Sequence, residues 1–381
     1  MTMDPSLRRA SLQHTAAQSS TPSQGRRATV PDLTTALPTS ALFPTHHLPF
    51  RFGAEFEVII RPRANLLQDG LVLPDFDAST RQQRDYNLAL RRTIADVLTT
   101  SGLPCDIYDP NDGGRPDTSR WNAVLDGSLS KKHAVDGFYP IEIVSPIIIA
   151  DSRWVQIIDK FWSVLTSSFE IRREFSCGFH VHISSATETW SLAQLRQMAK
   201  AVLFWEPRTA RCAPPSRQDQ VLGMCKSNVD NAVPAGVYLR SKGFQAVCDH
   251  IENLGRDEIV NFVCPDKYKA WNFRNCAEGG FGSIEFRRPP GVVDAKRAKH
   301  WIAFTMAFVE MAIQFNPAQA FHQPSLLNRD LEPSGSDSFD SDCFKTYLLA
   351  CAKQLGIFAQ LDPRLYQVDN TRSLHITTPG Q

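Results

Sequence analysis

The chain has 381 residues, 42% of them hydrophobic and 21% charged, with a net charge of +1. That length suits one large or two average domains, and the balanced charge gives no bulk reason to expect nucleic acid or an acidic membrane as partner. Nine scattered cysteines, an odd count without a CxxC pair, fit a reduced cytoplasmic chain better than a disulfide framework.

Residues 1–46, rich in Ser, Thr, Pro, Gln and Arg, cannot bury enough apolar surface to offset their ordering entropy. They are expected to form a disordered arm. The arm is acid-poor and carries Arg8, Arg9, Arg26 and Arg27, so besides a solvated tail it also fits a mitochondrial transit peptide. No basic segment leads into an apolar stretch, so no secretory signal is expected.

Order is expected over 47–320 as one catalytic domain. Its first strand is RFGAEFEVIIR, with Phe52, Ala54, Phe56, Val58 and Ile60 facing one way and Gly53, Glu55 and Glu57 the other. RDYNLALRRTIADVLTTSG has helical periodicity and stops at Gly102. SRWNAVLDGS and FYPIEIVSP read as strands. DSRWVQIIDKFWSVLTSSF reads as an amphipathic helix capped by Asp151 or Ser152. CGFHVHIS follows as a strand, then a helix from Ser191 to near Trp205.

Residues 206–268 are less regular and read as a helical insertion, with a loop at CAPPSRQDQ and a helix around Phe244–Leu254. KAWNFRN and GSIEFRR, joined by the glycine-rich CAEGGFG, are expected to pair as an antiparallel hairpin. A long helix over Asp294–Phe315 follows, and its WIAFTMAFV, the longest apolar run, is about half a membrane span. In 321–367 a loop at 323–340 leads to a helix near Phe344–Leu355 that packs on the domain, and 368–381 reads as a flexible tail. Strands adjoining strands, with helices interspersed, predict an α+β fold with a mainly antiparallel sheet whose apolar face the helices cover.

Side chains at i and i+2 of a strand share a face, their Cα atoms roughly 7 Å apart. On that rule Glu55 and Glu57, Glu142, His180 and His182, Asn272 and Arg274, and Glu285 and Arg287 all point away from apolar neighbours. A solvated antiparallel face normally carries Lys, Thr, Gln and Ser. Five strands bearing Glu, His and Arg instead point to a shared site. Carboxylates and imidazoles at this spacing can hold divalent cations, and oxygen-rich donors favour Mg²⁺ or Mn²⁺ over zinc. Arginines among such ligands suit an anionic substrate.

Asp126 and Ser128 of VLDGSLS form a turn, from which the aspartate could also reach a ligand at the sheet rim. Cys177 alternates with Phe179 and Val181, which makes it a small buried residue on the apolar face rather than a zinc ligand or a nucleophile. There is no Walker A or GxGxxG loop.

FGAEFE, VLDGSLS…PIEIVSP, CGFHVHIS and SIEFRRPPGVVD stand in the order and approximate spacing of the amidoligase family. The chain resembles that family, which groups with the carboxylate–amine ligases related to glutamine synthetase and glutamate–cysteine ligase. The resemblance covers roughly 50–315 and implies a curved, half-barrel, glutamine synthetase-like sheet whose concave face holds ATP, Mg²⁺ and an acidic substrate. It implies Glu55, Glu57, Glu142, Glu285 and one of His180 and His182 as metal ligands, with a slight preference for His180. It implies Arg287, Arg274 and His182 in phosphate or substrate contact, and Asp126, Ser128 and Asn272 beside the nucleotide.

The implied reaction is ATP- and Mg²⁺-dependent amide or peptide-like bond formation between a small-molecule or peptide carboxylate and an amine, through an acyl phosphate. Two prolines directly after the last strand, in RRPPG, depart from the family pattern, and 206–268 carries no assignable motif. The same ligands would also serve a metal-dependent hydrolase, or a non-catalytic module that binds a peptide or nucleotide. No nucleic acid or membrane partner is expected, and a homo-oligomer is left open.

Overall fold

The thirteen residues Phe50–Pro62 form β1, the axis of the structure. Its alternation places Phe52, Ala54, Phe56, Val58 and Ile60 in the core, each under 3% exposed. The computed structural model describes residues 50–67, 80–109, 111, 115–218, 223–317 and 337–362, all within the unit His47–Gln381. The expected arm at 1–46, the tail at 368–381 and the loop over 323–336 lie outside the described residues.

Each edge of β1 carries two strands end to end. On one edge its later half pairs with β4 (Tyr139–Val144) and its start with β5 (Ile148–Ile149). On the other, its end pairs with β6 (Phe169–Arg172) and its first half with β7 (Phe179–Ser185). With β2 (Cys105–Tyr108), β3 (Trp121–Val124), β8 (Trp271–Asn272) and β9 (Ile284–Phe286), the order across the sheet is β2–β3–β4–β1–β7–β9–β8. Only β2–β3 is parallel among these pairings. The fold is thus mixed α+β around a large open sheet, mainly antiparallel as the pattern predicts.

Helices cover the apolar face. α1 (Thr80–Thr100) ends before Gly102, whose positive φ of 74° supplies the left-handed stop. α2 (Trp154–Ser168) lays Phe161 on Trp121 as a stacked pair 4.2 Å apart and against Phe56 at 4.7 Å. α3 (Leu192–Arg211) begins at Ser191 with a capping box to Gln194. α4 (Pro234–Glu252) and α5 (Arg256–Val263) follow. α6 (Ala295–Ile313), capped by Asp294, stacks Phe308 on Trp271 at 4.2 Å. α7 (Asp337–Gln354) closes the stack through Phe344 against Phe304 and Phe308. Among the described residues no helix is long and apolar enough to cross a membrane.

Several expectations are corrected. The α2 cap is Arg153, without a side-chain cap, because the Asp151 carboxylate accepts the Arg153 N–H in a local turn of its own. α3 runs on to Arg211 despite Pro207, and α4 starts ten residues before Phe244, kinked at Gly243 where φ is 81°. α7 begins at Asp337, inside the span read as loop. The strand over KAWNFRN stops at Asn272, and Arg274 opens a 3₁₀ turn. Its cause is local: the Asn272 side-chain oxygen accepts the Arg274 N–H at 2.9 Å, closing an Asx-type turn in place of the next ladder bond.

Candidate active site

Register decides which side chains on the polar face meet. Glu55 stands opposite His180, Glu57 opposite Glu142, and the row across β8–β9–β7–β1 reads Asn272, Glu285, His182, Gly53. Glu55 bridges both histidines: its carboxylate lies 2.8 Å from His180 Nδ1 and 2.9 Å from His182 Nε2. Glu285 lies 3.6 Å from His180 Nδ1 and 3.8 Å from His182 Nε2. Asn272 holds the outer Glu285 oxygen with its amide at 2.7 Å, and Arg287 donates to the inner one. Glu57 accepts the Gly178 N–H, and its other oxygen is 3.5 Å from His180 Nε2.

One group of three stands out as a cation site. Ligand atoms of Glu55, His182 and Glu285 all lie within 4.8 Å of one another. His180, which has the slight sequence preference, stands beside this group, 3% exposed, with both its nitrogens facing carboxylates.

The electrostatics reflect four carboxylates sharing one face. Burial, then the charges of Glu55, Glu57 and Asp126, push the Glu142 carboxyl well above the usual carboxylate range, and it shares a hydrogen bond with Glu55. Burial would also raise Glu55, but the His182 charge and hydrogen bonds with both histidines outweigh it and hold Glu55 well below that range. Burial lowers His182, yet Glu285 and Glu55 overcome it and lift the imidazole to about 9.

Asp126 and Ser128 are brought to the edge of this group. Both Asp126 oxygens accept from Ser128, through its N–H at 2.7 Å and its hydroxyl at 2.9 Å, and the aspartate still acts on Glu142 through its charge. Arg274 is not brought in. It is exposed and donates to Asn261 of α5 at 2.9 Å.

Cys177 also departs from expectation. It packs with Ile59, Leu129 and Phe138, a small cluster apart from the main core. Ile59 has the parity of Glu55 and Glu57, so Cys177 lies on the charged side, where burial and then the Glu57 and Glu174 charges push its thiol far up. It remains a neutral thiol, which fits the expectation that it is no nucleophile.

Sequence reasoning missed the support that 206–268 gives the site. The Arg217 guanidinium donates to the Arg287 carbonyl at 2.6 Å and weakly to that of Arg288 at 3.4 Å, while the Met224 carbonyl accepts from the Arg287 side chain at 3.4 Å. Asn228 flanks β8, accepting the Trp271 N–H at 2.9 Å and donating to its carbonyl at 2.8 Å. No periodic pattern marks these residues, since they act from loops. The two prolines of RRPPG have a structural use: the Pro289 carbonyl accepts the Phe179 N–H at 3.1 Å, and Pro290 bridges Gly178.

The model of a family described as "Putative amidoligase enzyme" matches residues 48–309. The crystal structure of a bifunctional glutathione synthetase from Pasteurella multocida matches with 12% sequence identity and a TM-score of 0.35, covering 84% of this chain and 46% of that one. This chain therefore spans about half the length of that structure. No curated protein matches.

Proposed function

We propose that this chain, which belongs to the amidoligase family, is an ATP- and Mg²⁺-dependent carboxylate–amine ligase acting on a small-molecule or peptide acid. The observation that carries this is the convergence of Glu55, His182 and Glu285 to within 4.8 Å on a sheet face shared with Glu57, Glu142 and Arg287. Two carboxylates and one imidazole form a donor set that suits Mg²⁺ or Mn²⁺. Bound there, divalent ions would offset the charge that builds on a transferred phosphoryl group.

In the proposed reaction the acid's carboxylate oxygen attacks the terminal phosphorus of ATP and ADP leaves. The amine then attacks the acyl carbon, phosphate leaves and the nitrogen gives up a proton. This chain's residues do the positioning. Asn272 fixes one Glu285 oxygen, which aims the other into the group. Arg287, kept cationic by the adjacent Glu285 carboxylate despite burial, offers a guanidinium fork to an oxyanion.

The glutamine synthetase-like half-barrel is part of the proposal. Arg115, ahead of β3, lies 5.6 Å over the Phe281 ring of the β8–β9 link. That contact brings the segment ahead of β3 beside the link ahead of β9, across the ends of the intervening strands. We also take 47–320 as the catalytic domain, with 206–268 as an insertion that buttresses β8 and β9.

Binding tests this directly. ATP with Mg²⁺ at millimolar concentration should raise the melting temperature of the full chain by mass action, and ATP with EDTA should do so much less. No shift under either condition would remove the nucleotide from the scheme.

A further inference from the structure

Arg217 is 2% exposed, in a loop between α3 and α4. A guanidinium so deeply placed is costly unless an anion faces it. Its Nη2 and Nε donate to the Arg287 and Arg288 carbonyls, which are neutral acceptors. Among the described residues no carboxylate lies within ion-pair distance of it, and its Nη1 has no partner. The neighbouring Arg288, 0% exposed, differs in donating to Glu206, its counter-charge on α3.

The charge of Arg217 is held against the candidate site. A Cβ on Gly178 would stand 2.6 Å from Arg217 Nη2 and 2.9 Å from His180 Nε2, so glycine lets the guanidinium and the imidazole share one spot beside the backbone. Gly178 in turn donates to Glu57. The same guanidinium is anchored to the backbone of Arg287, whose side chain points into the cluster. A cation with no carboxylate partner among the described residues, fixed by two neutral carbonyls next to an array of metal-type ligands, is arranged for an oxyanion that arrives with the ligand.

We propose that Arg217 is an anion-binding residue that contacts the phosphoryl oxygens of the bound nucleotide beside His180. This rests on the ligase assignment above for the identity of the anion. Two carbonyl bonds through Nε and Nη2 fix the guanidinium plane and leave Nη1 to donate, so little side-chain entropy is lost when the oxyanion binds.

The test compares the full chain with Arg217→Met and Arg217→Lys by calorimetric titration of ATP in the presence of Mn²⁺, with Mn²⁺ alone followed by its free-ion paramagnetic signal. Arg217→Met should bind Mn²⁺ within about twofold of wild type and ATP about tenfold or more weakly. Arg217→Lys should fall between, keeping the charge and losing the fixed guanidinium plane. A merely structural arginine would disturb the cluster and weaken Mn²⁺ as well, so parallel losses overturn the proposal, as does unchanged ATP affinity in a folded variant. In both of those cases wild-type ATP binding leaves the ligase assignment standing, whereas a wild type that binds Mn²⁺ and no ATP overturns both. If Arg217→Met does not fold, Arg217→Lys decides, with an ATP affinity equal to wild type sinking the proposal.

Discussion

Glu55 reaches diagonally from β1 to His182 on β7, its oxygen 2.9 Å from His182 Nε2, although the register partner of His182 is Gly53. The missing side chain at 53 leaves that diagonal open, and Glu55 still bonds its own partner, His180, at 2.8 Å. One carboxylate thereby ties both imidazoles into a single array. It is the residue on which the geometry of the face depends most.

Glu55→Gln should therefore remove the negative charge of a proposed metal ligand, and of the carboxylate that both histidines share, while leaving the apolar face untouched. The expected outcome is a loss of Mn²⁺ affinity of about tenfold or more, with far-ultraviolet circular dichroism unchanged. A folded Glu55→Gln that binds Mn²⁺ like wild type would remove Glu55 from the ligand set.

Gly178→Ala should be felt in both stability and binding. The new methyl carbon would meet Arg217 Nη2 at 2.6 Å and His180 Nε2 at 2.9 Å, inside normal contact. Overpacking of this kind costs about 1–3 kcal/mol, so a drop in the denaturant midpoint with unchanged slope is expected. Equal midpoints for the two proteins would show that Arg217 yields freely.

Metal binding should release protons. His182 is lifted to about 9, with burial opposed by the stronger pull of Glu285 and Glu55, so its imidazole is protonated at pH 7 and must lose that proton to ligate. Burial and the neighbouring carboxylates also push the Glu142 carboxyl up, in the direction that a bound cation would oppose. Mn²⁺ affinity should rise as pH goes from about 7 towards 9, and calorimetry in buffers of different ionisation enthalpy should show net proton release. Affinity independent of pH across that window would place His182 outside the first set of ligands.

His300, far from this chemistry in its role, sets an acid limit on stability. It is fully buried on α6, accepts the Asp362 N–H at 3.0 Å, and burial, against the opposing charge of Asp362, lowers it to about 4. The unfolded chain titrates this imidazole near 6.5, so between those values it binds the extra proton and the folded state does not. The stability from a neutral His300 is whole above about pH 6.5 and is lost as pH falls towards 4, on the order of 3 kcal/mol in all. A folded His300→Gln should show a flatter stability profile over that window, and a profile parallel to wild type would contradict the assignment.

The alternation of Glu-x-Glu, His-x-His and Glu-x-Arg made the charged face legible, because period two is a property of single strands. The outer rows were less so. Arg274 keeps that period in the sequence, yet Asn272 turns the chain with its own side chain and sends Arg274 to Asn261. The parallel strand Cys105–Tyr108 is short, with its pairing to β3 set by tertiary contact rather than by pattern. Arg217 and Asn228 have no periodicity to betray them, since a loop residue acquires its role only when distant backbone arrives beside it. The choice between His180 and His182 turns on rotamer and depth, which alternation does not encode.

Bond formation driven by ATP is measurable as ADP release from the full chain given pools of acids and amines, with mass spectrometry of the products. The expected result is Mg²⁺-dependent ADP release that needs an acid and an amine together, a product whose mass is their sum less one water, and silence in folded Glu285→Gln. Cleavage of a pool component without ADP, or ADP release that survives in folded Glu285→Gln, would contradict it.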